Sequence, residues 1–237
     1  MNSLASAHQG YIYQDILGAY FIAQELSQGR GETLFHFDQK KTSTGVPDKF
    51  DDIAIYRQEA NSFIQVKYSN EHNNHVLTKD DFSSSANYDL ALYDLFETWK
   101  FLHSNGSTWR ICLAWKEPIP EDPLLEVFNK LQDNVSLIPG TTCYQFNCDV
   151  LWPEGKEVLS SWRALKAWSE AVERSLFKEF LDLLVIEVGC PKSSLLQDFN
   201  QDLEQLLSRT IQNIGVGIYP NDHISVRDAI IIVPGLG

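Results

Sequence analysis

A chain of 237 residues, 43% hydrophobic and 22% charged, can bury one sizeable core with at most a small appendage. Its four cysteines, Cys112, Cys143, Cys148 and Cys190, are too few for a disulfide scaffold and lack the CxxC pairs of a structural zinc site, so reduced, mostly buried thiols are expected. A net charge of −13 excludes a broadly basic nucleic-acid surface; any phosphate contact has to be local, assisted by metal or shared with a partner.

No basic start followed by an apolar stretch opens the chain. The longest apolar runs, such as Leu183 to Ile186 and Ala229 to Val233, are too short for a bilayer, which points to a cytoplasmic protein with no membrane partner. Ser6 followed by Gln9 fits a capping box, and Tyr11, Ile12, Ile16, Leu17, Tyr20, Phe21 and Leu26 recur at helical spacing until Gly29 and Gly31, predicting a helix over residues 6–28. Leu34 to Phe37 reads as a short strand, and 39–49, with Gly45 and Pro47, as a loop. Asp52 to Arg57 makes a second strand. After a turn at 59–61, Ser62 to Tyr68 alternates, with Phe63, Gln65 and Lys67 on one face and Ile64, Val66 and Tyr68 on the other.

Thr78 with Asp81 forms a second capping box, opening a helical region in which Leu90, Leu92, Leu95, Phe96 and Trp99 are the apolar positions; Arg110 to Trp115 follows as a fourth strand. Helix, three strands, helix, strand is the order of an α/β fold with a mixed sheet flanked by helices, placed over residues 1–150. Beyond a Pro-punctuated connector at 118–123, Val135 to Ile138 and Cys143 to Phe146 are strand candidates. From Lys156 the pattern turns helical. Leu159, Trp162, Leu165, Trp168, Val172, Leu176, Phe180 and Leu184 keep three- or four-residue spacing, and Phe199 to Ile214 is amphipathic. Residues 151–237 are therefore expected to be a mainly helical extension, or a connector to a further sensor domain. Gly215-Val-Gly217 lacks the phosphate-loop pattern and reads as a turn. The apolar Ala229 to Val233, so near the last residue, suggests a portion of a longer protein, with a genuine terminus as the alternative.

Phosphodiester hydrolysis needs a hard divalent cation that polarises a phosphoryl oxygen and activates water, and Mg²⁺ prefers oxygen ligands while keeping several waters. Asp52 starts one predicted strand, and Gln65 and Lys67 share a face of the next, so a tight meander brings them together. Asp52, the Gln65 side-chain oxygen and the Val66 carbonyl are the candidate ligands for Mg²⁺, with Mn²⁺ as a substitute. Lys67 would orient water and offset charge on the phosphorane. Whether Lys67 also acts as a base stays open.

Pro47-Asp-Lys-Phe-Asp-Asp52 followed by Gln65-Val-Lys67 resembles the catalytic signature of the PD-(D/E)XK nucleases in the Gln-x-Lys variant of Mrr-like restriction enzymes. With His8-Gln-Gly-Tyr-Ile-Tyr-Gln14 at the start, the chain is similar over about residues 6–115 to the double-stranded DNA nuclease domain of bacterial antiphage effectors, which precedes a SAVED or STAND-NTPase sensor. That resemblance implies a restriction-endonuclease-like fold, a Mg²⁺-dependent endonuclease of low sequence specificity acting in antiphage defence, and a first helix that contributes to the site. Glu25 is then an additional metal-ligand candidate and Gln14 a supporting one. Gln65 in place of an acidic residue removes a negative charge that Glu25 or Asp38 could restore, so the third ligand stays open.

Lys40, Lys41, Lys49 and Lys79 cluster in sequence around the site and are candidate phosphate contacts, as against scattered solubilising lysines. His72 and His75 form an H-x-x-H pair in an Asn-rich loop, for which a solvated loop is the favoured reading over a metal site. An acidic domain of low DNA affinity needs assembly to concentrate several sites on one duplex, so a homo-oligomer is expected. The alternative is a catalytically inert module of the same fold that binds nucleic acid or a protein. RNA cleavage or nicking also remains open.

Overall fold

In the computed structural model the described residues are 3–38, 47–69, 75–83, 90–102, 106–165, 172–192 and 203–213. In chain order they form α1 (Ser3–Ser27), β1 (Leu34–Phe37), β2 (Ile53–Tyr56), β3 (Ser62–Tyr68), α2 (Lys79–Ser83), α3 (Leu92–Leu102), β4 (Thr108–Ala114), α4 (Leu124–Val127), β5 (Phe128–Lys130), β6 (Thr142–Phe146), α5 (Cys148–Leu151), α6 (Arg174–Leu183), β7 (Leu184–Val188) and α7 (Leu203–Asn213). Two compact units divide the chain: Met1–Phe35 with Pro191–Gly237, and His36–Cys190. Trp168, Phe199, Ile214, Gly215 to Gly217 and Ala229 to Val233 lie outside the described residues. No helix among the described residues is long and apolar enough to cross a membrane.

In the first unit α1 packs against α7, burying Tyr13, Ile16, Leu17, Tyr20 and Phe21 of one and Leu203 and Leu207 of the other. The helix starts at Ser3, three residues before the expected cap, so Ser6 lies inside it. The Tyr13 hydroxyl donates to the Pro191 carbonyl at 2.9 Å, tying the two chain segments of this unit together.

The second unit is built on a seven-stranded sheet of order β1-β2-β3-β4-β7-β6-β5. β2 pairs antiparallel with β3; β3, β4 and β7 run parallel; and β6 and β5 return antiparallel. The fold is thus α/β with a mixed sheet, as the element order implies. β4 and β7 are buried along most of their length, which suits apolar runs in central parallel strands. In α3, Leu92, Leu95, Phe96 and Trp99 fall at i, i+3, i+4 and i+7 and form the buried stripe. They join Phe177 and Phe180 of α6, Trp109 of β4 and Phe63 of β3 in one core, with Phe63 stacked on Trp109 at 4.5 Å between centroids.

Two expected features are corrected. Leu184–Val188, assigned by sequence to the end of a helical stripe in the C-terminal extension, is a strand, and it lies in the middle of the sheet between β4 and β6. Once side chains on both strand faces are covered, the two-residue alternation that marks a strand vanishes, and a run of Leu, Val and Ile carries no period. Val135 to Ile138 is not a strand: Asp133–Val135 is a 3-10 turn, and the Leu137 and Ile138 N–H groups donate to the Glu187 carboxylate at 3.3 and 2.8 Å. Those amides find their partner in a side chain rather than in a ladder.

Glu187 is fully buried, and its other contacts are equally close: Arg110 Nη1 donates to it at 2.6 Å and Thr141 Oγ1 at 2.7 Å. Arg110 in turn donates to the Val135 carbonyl at 3.0 Å. This network pins the 135–141 loop to the centre of the sheet. All four cysteines are buried thiols with no disulfide.

Candidate active site

The antiparallel register of β2 on β3 matches Ile53 with Ile64 and Ala54 with Phe63, which sets Asp52, one residue before β2, opposite Gln65. Asp52 Oδ2 accepts from the Val66 N–H at 2.6 Å and from Gln65 Nε2. Gln65 Oε1 accepts from the Phe50 N–H at 2.8 Å. The sequence motif is thus one connected unit in which Gln65 bridges the Phe50 backbone to the Asp52 carboxylate. Lys67 stands two residues further along the same face of β3, half-buried, and its ammonium acts on Asp52 by charge. The site lies where β2 begins and the parallel strands β3 and β4 end, the edge of an open α/β sheet at which ligands bind.

Phe50 supplies a feature that sequence alone does not disclose. Its φ is +55°, in the left-handed region that a bulky side chain seldom occupies, yet its ring is buried edge-on to Trp109 at 5.1 Å. That backbone turn is what directs the Phe50 N–H to Gln65. An off-lattice backbone held in place by core packing is commonest at working sites.

Burial pushes the Asp52 carboxyl up to about 6 from an ordinary 3.8. The Val66 N–H, the Lys67 charge and the Gln65 amide oppose that rise, and Asp51 adds to it. A carboxyl held so close to neutrality gains most from a nearby cation.

Asp52 offers one carboxylate, the hard oxygen donor that a divalent ion keeping its own waters and taking phosphate oxygens accepts. Among the described residues no three His, Cys, Asp or Glu side chains gather as a metal-binding group. Gln65 does not, as arranged, offer its oxygen. If the amide turned over, Nε2 would face the Phe50 N–H, donor against donor. Gln65 is therefore the brace of Asp52. Gln65→Glu places a second carboxylate there, still able to accept from Phe50, and is expected to tighten Mn²⁺ binding about tenfold by calorimetry. Unchanged affinity would speak against Asp52 as the anchor.

The remaining candidates are distributed as follows. Asp38 lies beside Asp52 through its backbone, its N–H donating to the Asp52 carbonyl at 3.2 Å, with φ +49°. Lys49 is half-buried next to Phe50. Lys79 is turned away: its Nζ donates to the Ser161 carbonyl at 3.1 Å and pairs with Asp80. Lys40, Lys41 and His72 lie outside the described residues. Gln14 and Glu25 belong to the other unit, both buried. The Glu25 carboxylate accepts from Arg30 Nε and Nη2, both at 2.7 Å, and from Thr33 Oγ1 at 3.0 Å.

No family model matches this sequence, and no curated protein matches it.

Proposed function

We propose that this chain is a divalent-metal-dependent endonuclease of the PD-(D/E)XK type, cutting double-stranded DNA with little sequence preference. The observation that carries the reading is the hydrogen-bonded Asp52–Gln65–Val66 unit with Lys67 beside it on one face of β3. Asp52 would hold Mg²⁺ or Mn²⁺, which supplies charge stabilisation and activated water when bound. Gln65 and the Val66 N–H fix the carboxylate. Lys67 places a positive charge where negative charge builds on the phosphorane. The similarity of the motif to antiphage effector nucleases supports a role in defence, as the cutting module of a protein that carries or recruits a sensor domain.

The test is cleavage of linear and supercoiled plasmid by wild type and Lys67→Ala, with Mg²⁺ or EDTA, over a range of protein concentrations. Cleavage confined to wild type with metal is expected, with Lys67→Ala slower by about 10²–10³-fold. A steep rise with concentration is also expected, because an acidic protein needs several sites on one duplex. A dilute monomer cutting at full rate would refute assembly-dependent activity, and equal cutting by both proteins would remove Lys67 from the site. The inert binding module is the second reading, favoured by one observation: the Gln65 oxygen is committed to the Phe50 N–H.

A further inference from the structure

The site as described holds an anchor, a brace and a cation. Of these, the Lys67 ammonium has no lone pair to accept a proton with, and the Asp52 carboxylate, which can accept one, is the group assigned to the metal; a separate base would leave Asp52 to that role. The path of the chain after β3 supplies one. β3 and β4 run parallel with Tyr68 opposite Ala114, so an uninterrupted β3 would set residue 70 opposite Lys116. Val76 occupies that place: it bridges Lys116 in parallel, the Lys116 N–H donates to the His75 carbonyl at 2.8 Å, and the Leu77 N–H donates back to the Lys116 carbonyl at 3.0 Å. β3 ends at Tyr68, and the His75 N–H donates to Ser69 Oγ at 3.2 Å.

Alternation along the lane of β3 puts His75 and Leu77 on the face that carries Gln65 and Lys67. Leu77 is in the core on that face. The His75 ring stands edge-on to Trp115 at 4.3 Å, and Trp115 lies two residues beyond Leu113, the register partner of Lys67. His75 therefore stands one two-residue step, about 7 Å, beyond Lys67 on that face.

His75 Nε2 faces Asp81 Oδ1 at 2.8 Å, and Asp81 is buried, its Oδ2 accepting from the Thr78 N–H and hydroxyl at 2.8 and 2.9 Å. A carboxylate on Nε2 fixes the proton there and leaves Nδ1 as the basic nitrogen. The His75 side chain is 42% exposed, so that nitrogen is reachable by water.

We propose that His75 is the general base of the site, with Asp81 as its positioning residue; this rests on the nuclease reading above. His75 Nδ1 takes one proton from the attacking water as the water oxygen bonds to phosphorus. The bond from phosphorus to the leaving oxygen breaks with its electron pair on that oxygen, which takes a proton from solvent. His75 then returns its proton to solvent.

The experiment compares kcat and KM on a defined duplex for wild type, His75→Ala and Asp81→Asn, with and without imidazole in the buffer. His75→Ala is expected to lose about 10²–10³ in kcat at unchanged KM, and imidazole to restore part of the loss. Asp81→Asn keeps the Thr78 cap through its oxygen but donates to Nε2. The proton then moves to Nδ1, so this variant should fall comparably and resist imidazole with its fold intact. A wild type that cuts while His75→Ala cuts equally overturns this inference alone. So does a loss in KM that imidazole leaves untouched. A wild type that cuts nothing overturns the nuclease reading and this inference with it.

Discussion

Asp52→Asn is expected to abolish metal-dependent cleavage while making the protein more stable. Among the described residues Asp52 is the carboxylate proposed to anchor the cation, so its loss should lower the rate by about 10³-fold or more. Yet Asn can keep both hydrogen bonds, since the Val66 N–H and Gln65 Nε2 reach the same oxygen of Asp52. Asn also removes a charge that the fold holds at a cost. The Asp52 pKa is raised to about 6 in the folded chain against 3.8. The folded state thus binds the proton more tightly than the unfolded one, and the stability this confers is complete below about pH 4 and lost as the pH rises through about 6. At pH 7 in EDTA, Asp52→Asn should therefore gain about 1–3 kcal/mol over wild type, and the gap should close on acidification to pH 4. Thermal melts at the two pH values read it out. A variant less stable than wild type at pH 7 would show that Asp52 serves the fold rather than chemistry.

The second large effect is at the buried Arg110–Glu187 pair. Glu187→Ala leaves the guanidinium without its carboxylate and takes from the Ile138 N–H the acceptor it holds at 2.8 Å. Breaking one side of such a pair costs about 3–5 kcal/mol, roughly a fifth or more of the stability of an ordinary domain. Replacing both partners together, Arg110→Met with Glu187→Leu, should recover a good part of the loss, because the desolvation of two charges is then avoided. Urea unfolding of the three variants would decide it, and a Glu187→Ala loss below about 1 kcal/mol would show that the network is peripheral to stability.

Where a relation is local the sequence is a good guide. The alternation in Ser62–Tyr68 and the reach of Asp81 back to Thr78 were both legible, because each is a local relation between residues a few positions apart. What was hidden depends on distant segments. β7 lost its period by being buried on both faces. Its one sign was Glu187, a lone acid in an apolar run, which demands a buried cation and finds Arg110 from 77 residues away. At the site, the pairing of Asp52 with Gln65 followed from the meander, but the direction of the Gln65 amide is set by the left-handed turn at Phe50. Nor could the spacing of His75 from Lys67 suggest that both share one lane of the sheet.

The central place of β7 bears on how the protein is made. Among the described strands it is the last to leave the ribosome, and it stands between β4 and β6 in the sheet order. A nascent chain shorter than Leu184, or a fragment cut at residue 150, holds two pieces of sheet, each with a raw apolar edge that invites pairing with other chains. Synthesis must therefore pass Val188 before β4 and β6 are joined in one sheet, and truncated products are destined for aggregation or degradation rather than for folding.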